Sequence, residues 1–103
     1  MAISYTTKNK SLILINASTG TATSNWFILP RSKVFSCSGI TTAGQVVYEY
    51  ITFEGETPKT LFTSTADETK ENNQALHQVR ARISVANSDS NPITVAVCYD
   101  DDD

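Results

Sequence analysis

The sequence predicts a small all-β domain, an antiparallel β-sandwich of jelly-roll or immunoglobulin-like architecture with about seven strands. Ser and Thr together make up about a quarter of the chain, and Thr, Val, Ile and aromatic residues favour pleated, half-buried surfaces. Short apolar or alternating runs recur, separated by turn residues at intervals of roughly 8–12 residues. No helical pattern alternates with these runs, which argues against a parallel α/β fold.

The 103 residues fit one domain with a short extension on each side. Residues 1–10 are mostly polar, with Ile3 and Tyr5 as possible anchors, and we expect either a disordered tail or an arm that orders on a partner. Residues 11–99 form the expected sandwich domain. Residues 100–103 are all aspartate, an acidic tail expected to stay solvated or to contact a basic patch on a partner.

The strand-like runs follow one another along the expected domain. The first is continuously apolar, which indicates burial on both faces. The last two alternate apolar and polar residues and are separated by a turn, so we expect an antiparallel hairpin. The polar residues 65–73 predict a surface loop or one helical turn, with a longer helix to His77 as the alternative. The expected strands cover residues 11–16, 23–29, 33–38, 45–54, 59–64, 79–85 and 93–99.

Several aromatic and basic side chains exceed what a single core needs. Neighbours in a strand point to opposite faces, so either Trp26 or Phe27 must lie outside the main core. Outward aromatic side chains indicate a surface that a partner covers. Arginines two residues apart share a strand face and suit bidentate pairing with carboxylates, either within the chain or across an interface. The candidate interface residues are Ile3, Tyr5, Trp26, Phe27, Tyr48, Tyr50, Arg80 and Arg82.

No arrangement of residues indicates catalysis, a metal site or a cofactor site. His77 is the one imidazole, and no glycine-rich elbow marks a nucleophile near it. Glu54 and Glu56 flank a turn, where acids are normally solvated. Cys37 and Cys98 do not have the spacing of a zinc clip, so they are either two free thiols or one bridge between distant strands. We therefore predict a protein that is not an enzyme and uses no cofactor.

Charge and hydropathy restrict the partners. The net charge is −3, and without the four aspartates at residues 100–103 the chain is close to neutral. A chain without a basic field is not expected to bind nucleic acid, and a nearly neutral surface favours association, here as a homo-oligomer. The longest apolar run, residues 12–15, is too short to cross a bilayer, and the N-terminus lacks the pattern of a signal peptide. We expect synthesis in the cytoplasm of the host cell and no membrane partner.

Three segments carry a resemblance to a known family type. Residues 21–30 lead from Ser and Thr through Trp26 and Phe27 to Pro30, and residues 51–55 end a strand in an acidic turn at Gly55. Two alternating strands, residues 79–85 and 93–97, then close the chain. In this order of features the chain resembles small β-sandwich proteins of bacteriophage particles, of the head decoration or cement type. The resemblance covers most of the chain and brings no catalytic residues with it.

The resemblance implies a non-enzymatic virion protein that binds the outer surface of the phage head and stabilises the coat lattice. Its partners would be the major capsid protein or other virion subunits, reached by main-chain pairing at an edge strand or arm and by aromatic anchors. A phage tail or baseplate component is one alternative. A carbohydrate-binding sandwich is another, and it would need a concave site with exposed aromatic side chains. The immunoglobulin family does not fit, because Trp26 precedes both cysteines.

Overall fold

A computed structural model describes residues 10–100, which form a β-sandwich of two antiparallel four-stranded sheets. Ile3, Tyr5 and residues 101–103 lie outside the described residues. The all-β sandwich is confirmed, with eight strands where about seven were expected. The strands are β1 (Lys10–Ser18), β2 (Ala22–Thr23), β3 (Lys33–Ser38), β4 (Gln45–Ile51), β5 (Lys59–Ser64), β6 (Glu68–Asn72), β7 (Gln78–Val85) and β8 (Ile93–Tyr99).

The strand order separates two runs that the sequence placed side by side. The first sheet has the order β1-β8-β3-β6, and the second has the order β2-β7-β4-β5. The hairpin expected from β7 and β8 is therefore wrong, since β7 pairs with β2 and β4 while β8 pairs with β1 and β3. Each of these strands has one buried face, and this alternation suits strands in opposing sheets as well as strands in a hairpin.

The polar stretch after β5 is a strand, so the loop or helix expected there is wrong. β6 pairs with β3 along the edge of the first sheet. An edge strand has one partner and tolerates charged side chains. Its inward residues also find partners, because the Ser64 hydroxyl donates to the Glu68 carboxylate (2.5 Å) and the Lys70 ammonium lies over the Phe62 ring, 5.9 Å from its centroid.

The boundaries of three other strands differ from expectation. β2 has two residues, and Phe27 rejoins the second sheet by an isolated bridge to Val79. β4 ends at Ile51 instead of continuing through residue 54. Ile13 on β1 is 56% exposed on the outer face of the first sheet, beside Ala96 of β8, so the expected burial of both faces is wrong. A continuous run of apolar residues shows that a strand is hydrophobic, but it does not show whether other elements cover both of its faces.

The core lies between the sheets and contains an aromatic cluster. The Phe35 and Tyr48 rings lie 5.0 Å apart, and Phe62 contacts Tyr48 edge-on at 6.2 Å. Burial raises the pKa of Tyr48 well above its ordinary value, so its hydroxyl stays neutral at physiological pH. Cys37 and Cys98 are both free. Cys37 points into the core from β3 while Cys98 lies on the outer face of β8, which excludes a bridge between them.

One buried side chain joins two loops at the end of the sandwich where β3 ends and β8 begins. The Asn87 amide nitrogen donates to the carbonyl oxygens of Gly39 (2.7 Å) and Asn91 (2.9 Å). Its amide oxygen accepts from the backbone N–H groups of Thr41 (2.9 Å) and Thr42 (3.2 Å). Asn87 therefore holds the β3–β4 loop against the β7–β8 loop and across the two sheets.

Candidate interaction surface

The outer face of the second sheet brings the two candidate arginines together around one carboxylate. β7 turns its apolar residues inward, so Arg80 and Arg82 project outward on the same face. Glu49 on the neighbouring β4 is the register partner of Arg80. Arg80 Nε donates to one carboxylate oxygen of Glu49 at 2.8 Å, and Arg82 Nη2 donates to the other at 3.2 Å. A single acid is thus held between two guanidinium groups.

Trp26 extends this group along the same face. Its ring lies under the Arg80 guanidinium, 4.4 Å from ring centroid to Cζ, in cation–π geometry. The segment that carries Trp26 is fixed to β7, since Ala81 N–H donates to the Ser24 hydroxyl and Ser24 N–H donates to the Ala81 carbonyl. We call Trp26, Arg80, Glu49 and Arg82 the arginine cluster.

The electrostatic balance of the arginine cluster leaves positive charge at the surface. Burial raises the pKa of Glu49, but the hydrogen bonds and charges of Arg80 and Arg82 outweigh it, and the net pKa lies below the ordinary 4.5. Glu49 is therefore ionised at neutral pH and offsets one of the two positive charges. The Glu49 side chain is 11% exposed and that of Arg82 is 38% exposed. The remaining positive charge is shared by the two guanidinium groups, of which Arg82 is the more exposed.

Replacing Glu49 with glutamine is expected to lower the free energy of unfolding at pH 7 by about 2 kcal/mol. Breaking a buried ion pair costs roughly 3–5 kcal/mol, and the partial exposure of both arginines reduces that cost. Because the native pKa of Glu49 is lowered, its contribution is present above the ordinary pKa of 4.5 and is lost as pH falls through the native value. Urea unfolding at pH 7 and at pH 3 measures both effects.

The matched control is Glu71→Gln on β6, where the glutamate is exposed and the change is expected to be small. A difference between wild type and Glu49→Gln that stayed equally large at both pH values would contradict an origin in the ionised carboxylate.

The other aromatic candidates face the core. Tyr48 is 1% exposed, because the inward face of β4 carries Val46, Tyr48 and Tyr50, so it presents no surface to a partner, contrary to the expectation. Tyr50 and Phe27 are half-buried and pack against the core. Among the candidates that the structure describes, Trp26, Arg80 and Arg82 come together on the outside.

Four large apolar side chains among residues 10–100 are exposed, and the sequence did not single them out. They lie outside the regular inward positions of the strands: Ile28 follows the bridge residue Phe27, and Phe53 follows the end of β4. Their exposure depends on where each strand ends and on which sheet face stays uncovered, and no residue pattern marks those positions. The four are Ile13 (56% exposed), Ile28 (73%), Phe53 (60%) and Val85 (42%).

The edges of both sheets carry features that discourage the addition of a further strand. The pairing of β1 with β8 contains two register shifts, and the pairing of β5 with β4 contains one. β2 has two residues, and Pro58 immediately precedes β5. β6 carries the charged residues Glu68, Lys70 and Glu71. Bulges, short strands, proline and charge are the usual protections of sheet edges, which favours contact through the sheet faces over main-chain pairing.

Residues 10–100 offer neither a metal-ligand cluster nor a membrane-spanning helix. No group of three or more His, Cys, Asp and Glu side chains in this range could hold a metal ion. No helix in the described part of the chain is long and apolar enough to span a membrane. His77 pairs with Glu54 at 3.4 Å in an exposed position beside the β4–β5 turn.

The sandwich is similar to a solved structure, the crystal structure of the SPBc2 prophage-derived protein YomS, with a TM-score of 0.69. The match covers 86% of this chain and 90% of that chain at 14% sequence identity. No protein-family model matches the chain, and the search of the curated proteins finds no match. At this identity the likeness shows a common fold, and function has to be argued from the surface residues.

Proposed function

We propose that this chain is a non-enzymatic structural protein of a bacteriophage particle, a decoration protein that binds the outer surface of the head and stabilises the coat lattice. The observation that carries the proposal is the arginine cluster on the outer face of the second sheet. The fold shared with a prophage-derived protein over nearly the whole of both chains supports a phage context.

The arginine cluster has the composition and rigidity of an interface anchor. Trp and Arg are enriched among the residues that dominate binding energy at protein interfaces. Glu49 and the Trp26 ring hold Arg80 in place, and Glu49 also orients Arg82. A guanidinium positioned in this way loses little conformational entropy when it binds a carboxylate on another subunit. The partner we propose is an acidic site on the major capsid protein or on another virion subunit.

The shape of the domain suits a position flat against a shell. Its principal extents are 45 × 37 × 17 Å, so two broad sheet faces dominate the surface. The protected edges disfavour strand exchange and leave the faces as the contact surfaces. The sugar-binding alternative is less well supported, because the Arg80 guanidinium covers one face of the Trp26 ring where a sugar would stack.

Reversing the exposed charge tests the proposal. Arg82→Glu is expected to weaken binding to heads of the encoding phage that lack this protein by at least about tenfold, since the loss of an interface anchor exceeds ~1.4 kcal/mol. Co-sedimentation of the purified protein with isolated heads and, separately, with isolated tails measures the binding. Arg31→Glu is the control, because Arg31 is also exposed but lies in the loop before β3.

Three outcomes are informative. Binding of wild type and Arg31→Glu to heads, with loss in Arg82→Glu, supports the proposal. Binding to tails alone assigns the protein to the tail or baseplate. If Arg82→Glu binds heads as well as the wild type does, the arginine cluster is not part of the interface and the proposal fails.

A further inference from the structure

We infer that the outer face of the first sheet docks onto the same face of a second copy of this chain. The inference concerns a surface separate from the arginine cluster and does not depend on the proposed function. The docking surface, called the neutral face below, is formed by Ile13, Val34, Ser36, Thr94, Ala96 and Cys98.

The register of three adjacent strands places these side chains side by side. Ala96 on β8 is the partner of Ile13 on β1 and of Ser36 on β3, so the three form one row. Cys98 and Val34 are paired in the next row. The residues between them, such as Val97 and Phe35, are fully buried, which turns the neutral face away from the core.

The charge of the neutral face points to an identical partner. A two-fold contact brings each residue close to its own copy, so a charge of either sign near the centre would repel itself. The outward residues of β3 and β8 are all uncharged, and Glu71 lies at the margin on β6. The outer face of the second sheet, by contrast, carries two arginines and a glutamate. The three strands of the neutral face therefore bring no charge to the centre of a two-fold contact, and Glu71 beside Val34 stays at its edge.

The size of the neutral face sets the strength of the contact. Three strands about 4.8 Å apart, each about seven residues long, cover roughly 300 Å². A standard interface buries about 800 Å² on each partner, so we expect a weak dimer in solution. Short side chains such as Ser36 and Ala96 allow two flat sheets to approach closely.

Cys98 is a natural reporter for this contact. Cys37 is 5% exposed and Cys98 lies on the neutral face, so a maleimide is expected to label Cys98 in the folded protein. Dimerisation covers the thiol, and its labelling rate should fall at least about fivefold between roughly 10 µM and 1 mM protein, the range expected for a small interface. Analytical ultracentrifugation over the same range should show the matching rise in mass.

Charge complementation tests whether the contact is two-fold. Ser36→Glu and Ser36→Lys should each abolish dimerisation, because Ser36 lies near the centre of the face, and an equimolar mixture of the two variants should restore it. Thr63→Glu adds the same charge on the exposed side of β5 in the second sheet and should leave dimerisation unchanged. Circular dichroism confirms that each variant is folded.

The inference is overturned if the labelling rate of Cys98 in the wild type does not depend on concentration and the mass stays monomeric. It is also overturned if a dimer forms that Thr63→Glu disrupts and Ser36→Glu does not. Neither result bears on binding to phage heads, which is measured separately with Arg82→Glu.

Discussion

Asn87→Ala is expected to lower the free energy of unfolding by about 3 kcal/mol. The side chain is 5% exposed and makes hydrogen bonds to four backbone groups in two loops. Alanine leaves these groups without a partner, and each unsatisfied buried group costs roughly 1–3 kcal/mol before water reaches it. Water that enters the loops satisfies some of these groups, so the expected loss of stability is smaller than the sum of the four individual costs.

The loss of the Asn87 hydrogen bonds should also increase local opening of the β3–β4 loop, which hydrogen exchange can measure. Thr41 and Thr42 donate their amide hydrogens to the Asn87 side chain. In Asn87→Ala these two amides should exchange with solvent faster, while amides in the centre of β4 should follow global stability. Urea unfolding gives the global change and hydrogen exchange gives the local one.

Asn73→Ala is the matched control, since Asn73 is exposed between β6 and β7 and its loss is expected to change stability by less than about 0.5 kcal/mol. If Asn87→Ala and Asn73→Ala had the same stability, the bridge between the two loops would not be a structural determinant of the sandwich.

Gly39→Ala is expected to destabilise the domain by about 4 kcal/mol, which is a large part of the stability of a small domain. A β-carbon at this position would lie 2.1 Å from the Pro92 carbonyl oxygen, a backbone atom that cannot move without displacing the start of β8. Gly39 also has φ +97°, a backbone conformation that alanine rarely adopts. Steric overlap and backbone strain therefore act at the same residue.

Alanine substitutions at two other glycines distinguish the cost of steric overlap from the cost of backbone strain. Gly55 has φ +88° but nothing within 4 Å of its would-be β-carbon, so Gly55→Ala should cost about 1 kcal/mol from backbone strain alone. Gly20 has open space, and its φ lies outside the positive range, so Gly20→Ala should be neutral or slightly stabilising. Thermal unfolding of the three variants should show the order Gly20→Ala, Gly55→Ala, Gly39→Ala, from highest to lowest midpoint.

A midpoint for Gly39→Ala equal to that of Gly55→Ala would show that the Pro92 backbone yields without cost. That result would also weaken the prediction for Asn87, because both rest on a close and rigid packing of the same two loops.

The sheet faces illustrate what local patterns can and cannot predict. Alternation in β7 predicted that Arg80 and Arg82 share an outward face, and the structure places them there. The same alternation did not predict Glu49 as their common partner, because residues 31 and 33 positions apart in sequence meet only after β4 and β7 have paired. The pairing of strands, and therefore the arginine cluster, is a tertiary property.

β4 shows the same limit for buried residues. Both faces of this strand carry apolar side chains, so the sequence left open which face packs on the core, and Tyr48 and Tyr50 were both expected among the surface anchors. The structure turns Tyr48 to the core, where Phe35 and Phe62 receive its ring, and puts Glu49 on the outer face. A face can be assigned only when the elements that cover it are known.

By itself the sequence determined the class of the fold, the presence of seven of the eight strands, and the outward position of the arginines, because these depend on composition and on a period of two along each strand. The tertiary structure alone decided which sheet each strand joins, that β6 is a strand, and that Glu49 and Trp26 hold Arg80. These depend on contacts between residues far apart in the chain, and such contacts leave no mark in a local pattern.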